Sequence, residues 1–246
     1  ITVFDDNFIY KQNLYIQDVF YNIKPIYENE WVPLAGGILN NKNIKSFFVT
    51  KSCITIYHYL KFMENHGYLE KTYWSKDGYT WLNNSKASKP TNWLFSDNRW
   101  YVNNIPIEEM YNNPVEKISY YEAEACCKFY GGRLPTEEEW IWMSTNRNKT
   151  VHPNGIDIPY FFESAINLSN IEAANNTNFE SLMGLFHLYG NVWEYTSTIE
   201  IDNQDINVCL KGGDYKVPNF LLNSQLKMLL DRECKKYSTG FRIVKL

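Results

Sequence analysis

At 246 residues, 44% of them hydrophobic, the chain is long enough to bury a sizeable core as one large domain or two small ones. A net charge of -4 excludes the basic footprint that nucleic acid demands. No apolar run reaches the ~20 residues a membrane-spanning helix needs, so neither nucleic acid nor a membrane is expected as a partner.

Residues 1–30 are rich in Tyr and Asn without a stable period, and they read as an N-terminal extension packed on a main domain spanning 31–246. No charged-then-apolar leader opens the chain, which favours the cytoplasm. Trp31–Gly37 reads as a strand breaking into a glycine turn, and Lys45–Thr50 as a second short strand. From Ile54 to Glu64 the period becomes helical, with Ile56, Leu60 and Met63 on one face, Thr55 as N-cap and Gly67 as stop. His58 and His66 have no carboxylate or third histidine to complete a metal site, and surface positions are expected for both.

Tyr73–Trp100 reads as a long irregular stretch dense in tryptophan. Trp74, Trp81 and Trp93 are its candidate ligand contacts. Loop aromatics stack on flat or sugar-like ligands, but they also fasten loops to a core. The five cysteines (Cys53, Cys126, Cys127, Cys209, Cys234) are an odd set without CxxC spacing, so reduced and mostly buried thiols are expected.

Two capping boxes follow: Ser119 with Glu122, and Thr136 with Glu139. Between them Gly131-Gly132 ends one helix, and Pro135 keeps Leu134 extended before the next begins. The acids Glu137, Glu138 and Glu139 complement a helix N-terminus, a structural role that accounts for them without chemistry. Further on, Asn167, Ser169, Asn170 and Glu172 cluster oxygens of the kind Ca²⁺ accepts, and they serve equally in an Asn-rich turn. Gly190-Asn-Val-Trp-Glu-Tyr195 offers an amide, carbonyls and a carboxylate to one hard cation.

In order, Ser119–Ala125, Gly131-Gly-Arg-Leu-Pro-Thr-Glu-Glu-Glu-Trp140, Gly190-Asn-Val-Trp-Glu-Tyr-Thr196, Lys211-Gly-Gly213 and Gly240-Phe-Arg242 resemble the formylglycine-generating-enzyme (sulfatase-modifying factor) superfamily. Phe62–Tyr68 with Tyr73-Trp-Ser-Lys-Asp-Gly-Tyr-Thr-Trp81 is similar, within it, to the sulfoxide synthases of ergothioneine and ovothiol biosynthesis. The resemblance implies an α+β fold, a C-type-lectin-like variant with few helices, short strands and long ordered loops. It implies a structural Ca²⁺ at Asn191, the Val192 carbonyl and Glu194, with Asn167 and Leu168 near a second ion.

The catalytic residues of those relatives do not carry over. Val217 and Leu221 fall where formylglycine-generating enzymes place their copper cysteines, and no HxxxHxE-type iron set is present. No copper or iron is therefore expected on this chain alone. Tyr215, Arg232, Glu233 and Tyr237 are the remaining candidates for lining the family's pocket. The expected function is a non-catalytic or partner-dependent domain that binds a small-molecule or protein ligand through aromatic loops. The alternatives are the substrate-binding half of an iron-dependent thiol–histidine sulfoxide synthase, completed by a separate helical-bundle chain, and a lectin-like surface recognition protein.

Overall fold

A computed structural model describes residues 30–153, 155, 171–174, 180–202 and 205–246. The proposed N-terminal extension and the Asn167–Leu168 cation set lie outside the described residues. The chain runs β1 (Trp31–Leu34), β2 (Gly37–Leu39), β3 (Lys42–Ile44), β4 (Phe47–Thr50), α1 (Ile56–Glu64) and α2 (Lys76–Ser85). It continues through β5 (Trp93–Ser96), β6 (Arg99–Val102), β7 (Ile105–Pro106), α3 (Tyr120–Phe129) and α4 (Glu137–Ser144). Strands β8 (Trp193–Asp202), β9 (Asp205–Lys211), β10 (Lys227–Asp231), β11 (Thr239–Gly240) and β12 (Val244–Lys245) complete it. Short strands in small curled sheets and few helices give the α+β, C-type-lectin-like fold. No helix among the described residues is long and apolar enough to cross a membrane.

Each helix starts where a side chain replaces the missing backbone acceptor. Thr55, Ser75, Ser119 and Thr136 cap the four helices among the described residues, and both expected capping boxes form. Gly131 takes φ +72 at the end of α3, a left-handed backbone that glycine adopts without a Cβ penalty. A Cβ on Gly132 would stand 2.7 Å from the Val244 carbonyl oxygen, so the turn lies directly against the C-terminal segment.

Tyr73–Trp100 is more regular than its sequence suggests. A 3-10 turn at Lys71–Tyr73 leads into it, and it then forms helix α2 and enters the β5–β6 hairpin. Gly78, Asn83 and Asn84 lower the helix propensity of α2, and the burial of Trp81 and Leu82 overrides it. The asparagines have a specific use. Asn40-Asn41, Asp97-Asn98 and Asn103-Asn104 all take positive φ, and each pair closes a two-residue hairpin.

Among the described residues the largest sheet has the order β10-β9-β8-β11, antiparallel except for β11 beside β8, and a second sheet joins β1, β4 and β12. His58, expected on the surface, is instead 7% exposed between α1 and its neighbours, with Nδ1 2.7 Å from the Thr55 hydroxyl. The helix period places it on the inward side together with Tyr59 and Phe62. Burial lowers the pKa of His58 to about 4, and it lowers that of His187 likewise to about 4.

Both imidazoles are neutral in the fold and protonate more readily in the unfolded chain. Stability is therefore complete above about pH 6.5 and falls as pH drops toward 4, by about 3 kcal/mol at most per group. Urea unfolding of wild type and His58→Gln at pH 7 and pH 5 checks this. The wild type is expected to lose more stability than the variant, and parallel losses would contradict the assignment.

Candidate functional site

The C-terminal end of α1 and the C-terminal half of α2 line a cleft of about 350 Å³. Leu60, Met63, Leu82 and Ala87 supply its aliphatic surface, and Tyr68, Tyr79 and Trp100 its rings. The chain reverses between the helices at His66, which takes φ +61, and the Gly67 N–H then donates to the Phe62 carbonyl. A Cβ on Gly67 would meet the Phe62 ring at 2.3 Å, so glycine is required for the close approach.

Behind the cleft runs a buried polar seam. The Tyr68 hydroxyl donates to Glu122 Oε1 at 2.5 Å and lies 2.9 Å from the Tyr59 hydroxyl. Glu122 is fully buried and also accepts from the Ser119 N–H, the Ser119 hydroxyl and Lys235 Nζ. Burial, reinforced by the neighbouring carboxylate, pushes the Tyr59 and Tyr68 phenols well above their ordinary range. Both stay protonated, and Tyr68 is locked as a donor to Glu122.

The tryptophans expected to meet a ligand are core residues. Trp74 is 6% exposed, donates Nε1–H to the Gly67 carbonyl at 2.9 Å and stacks on Trp81 with ring centroids 6.1 Å apart. Trp81 lies in turn against Tyr121, and Lys235 Nζ stands over its ring. Trp93 is 1% exposed between Tyr59 and Trp100. Indoles this large contribute more by burial than they would by waiting in solvent, and so they hold the cleft's framework rather than its lining.

The other candidates fall in separate places. Arg232 pairs with Asp77 at 3.3 Å and covers Tyr121, joining the Trp81 layer. Glu233 is exposed and Tyr237 is half-exposed. Tyr215 lies elsewhere, its N–H donating to the Asn191 carbonyl at 3.1 Å.

Of the calcium set, Asn191 and Val192 are buried, and the Asn191 side chain bonds both backbone groups of Glu172. Glu194, the third residue of that set, is fully buried. Arg242 donates to both of its oxygens at 2.6 Å, Trp140 Nε1 donates to Oε2 at 3.0 Å, and Cys53 lies 3.3 Å from Oε1.

All five cysteines are free, and four are buried. Burial pushes the thiols of Cys53, Cys126 and Cys127 well up and that of Cys209 to about 12, which keeps them protonated and poor nucleophiles. Among the described residues Glu137, Glu200 and Cys209 form a group able to converge on one ion. Lys211 and Lys227 already neutralise its two carboxylates. Tyr68, Tyr79, Trp100 and Glu64 line the cleft without being among the candidates expected from the sequence; the Phe62–Trp81 block contains three of these four.

The sequence profile described as "Sulfatase-modifying factor enzyme 1-like domain" matches residues 38–246. Hercynine oxygenase of Mycobacterium tuberculosis is 24% identical over 194 residues, covering 71% of this chain and 45% of that protein. Inactive C-alpha-formylglycine-generating enzyme 2 of Mus musculus is 31% identical over 123 residues, covering 44% of this chain and 40% of that protein. The chain thus spans less than half the length of either relative. CarF superposes with a TM-score of 0.56 at 14% identity, over 89% of this chain and 99% of its own. Treponema denticola variable protein 1 gives 0.59 at 12% identity, over 90% and 99%. These two likenesses concern the fold alone.

The seam behind the cleft predicts a cost for Tyr68→Phe. Removing a donor from a buried carboxylate is expected to destabilise by about 1–3 kcal/mol. Urea denaturation measures it, and a variant as stable as wild type would show that Tyr68 does not support Glu122.

Proposed function

The chain belongs to the sulfatase-modifying factor enzyme 1-like domain family, and within it we propose a ligand-recognition domain that relies on a partner for any chemistry. The observation that carries this reading is the contrast between a formed, mostly apolar cleft and the chain's thiols. Four of the five cysteines are buried, and all four have thiol pKa values shifted upward. Val217 and Leu221 occupy the copper-cysteine positions of the family resemblance, and neither side chain binds a soft metal. A protonated, desolvated thiol also lacks the nucleophilicity that cysteine oxidation needs.

A second reading is favoured by the hercynine oxygenases. The match covers 71% of this chain but only 45% of the mycobacterial protein, so the similarity is to one portion of a larger enzyme. On that reading the domain is the substrate-binding half of an iron-dependent sulfoxide synthase, and a separate bundle chain brings the iron ligands. Calcium in a structural role would rest on Asn191 and the Val192 carbonyl, because the Glu194 carboxylate is committed to Arg242. The lectin-like alternative loses its proposed contact, since Trp93 is closed off from solvent.

Elemental analysis of the purified protein, with thermal melts in hercynine, cysteine and histidine, separates the readings. Recognition without chemistry predicts iron and copper far below one per chain and no oxygen consumption with thiols. Stoichiometric iron or copper with oxygen-dependent thiol turnover would overturn it. A bundle chain that copurifies, with a melt raised by hercynine, would select the synthase half.

A further inference from the structure

The lining of the cleft contains one buried charge. Glu64 ends α1, and its side chain is 6% exposed. Lys61 Nζ donates to Oε2 at 2.8 Å, while Oε1 is buried with no hydrogen-bond partner among the described residues. A desolvated carboxylate oxygen without a donor is costly. The helix makes it worse, because the last turn of α1 presents carbonyl oxygens and the negative end of the dipole. Apart from the Lys61 ammonium on Oε2, no group among the described residues supports the carboxylate, and an occupant of the cleft toward which the side chain turns Oε1 can supply the missing donor.

The rest of the lining limits what that occupant is. Leu60, Met63 and Leu82 with the rings of Tyr79 and Trp100 suit an apolar body of aromatic size, and about 350 Å³ lies in the range of small-molecule sites. The Tyr68 hydroxyl is committed to Glu122, which leaves Glu64 Oε1 as the free buried acceptor in the lining. Tyrosine and tryptophan faces also attract cations, and Tyr79 already has Lys71 Nζ 5.0 Å from its ring centroid. His66 and Lys86 belong to the lining but are exposed, where salt screens their charge.

We propose that the cleft binds a ligand with an apolar, aromatic-sized body and a protonated amine, the ammonium donating to Glu64 Oε1. This rests on the ligand-recognition reading above and names the chemistry of its ligand. A charge-assisted hydrogen bond in a largely desolvated pocket is the stronger kind, so the amine should outbind a neutral isostere of the same shape.

Calorimetry of the whole chain with 2-phenylethylamine, 2-phenylethanol and 3-phenylpropionate tests this. The amine is expected to bind about tenfold tighter than the alcohol or better, with the carboxylate weakest. Glu64→Gln should erase the amine's advantage and leave the alcohol within about twofold. Leu82→Trp should fill the cleft and weaken both. If the alcohol binds wild type as tightly as the amine, the role of Glu64 is overturned while the cleft survives as a recognition site. If no probe binds, both the amine proposal and the cleft's place in the recognition reading fall. Should Glu64→Gln not fold, the wild-type comparison of amine with alcohol decides alone.

Discussion

The structure depends on one buried ion pair. Glu194 on β8 and Arg242 just before β12 are both fully enclosed, joined by two contacts of 2.6 Å. Trp140 from α4 completes the carboxylate's hydrogen bonds, Cys53 lies 3.3 Å from Oε1, and the guanidinium also donates to the Phe186 carbonyl. Such a pair adds little net stability over an apolar filling, yet removing one partner alone costs about 3–5 kcal/mol. That asymmetry ties together segments far apart in sequence. The Gly131–Trp140, Gly190–Thr196 and Gly240–Arg242 blocks meet at this point.

Around the pair, the remaining acids of the α4 block have structural partners as well. Arg133 forks onto Glu139, which closes the capping box, and its backbone exchanges two hydrogen bonds with Val244. Glu137 neutralises Lys211, a fully buried lysine whose ammonium would otherwise be unpaired. Glu138 pairs with Lys42. The conspicuous charges of the family's signature are therefore used to close the fold. The cleft between α1 and α2 shares no residue with them, and its lining leaves an acceptor to spare.

The fold was largely legible in the sequence because its signals are local. Ser119, Thr136 and the Gly131-Gly132 turn announce helix ends through backbone rules that need no tertiary knowledge. α2 was hidden because Gly78 and two asparagines depress its propensity, while the burial that rescues it is a tertiary fact. The site was less legible for a similar reason. Trp74, Trp81 and Trp93 look like ligand contacts by residue type alone, and only packing shows that they support the walls. Glu64 reads as an ordinary exposed helix terminus, since no pattern in the chain reveals which carboxylate oxygen loses its water. Glu194 was legible as special, but its partner lies 48 residues away in sequence, and the nature of the bond could not be read.

The central claim is that the signature residues hold the framework through Glu194 and Arg242. A double-mutant cycle by urea unfolding, using Glu194→Gln, Arg242→Met and the pair, tests it most directly. The account predicts that each single variant loses about 3 kcal/mol or more, while the double variant is far less destabilised than their sum. Additive losses, with a coupling near zero, would contradict it.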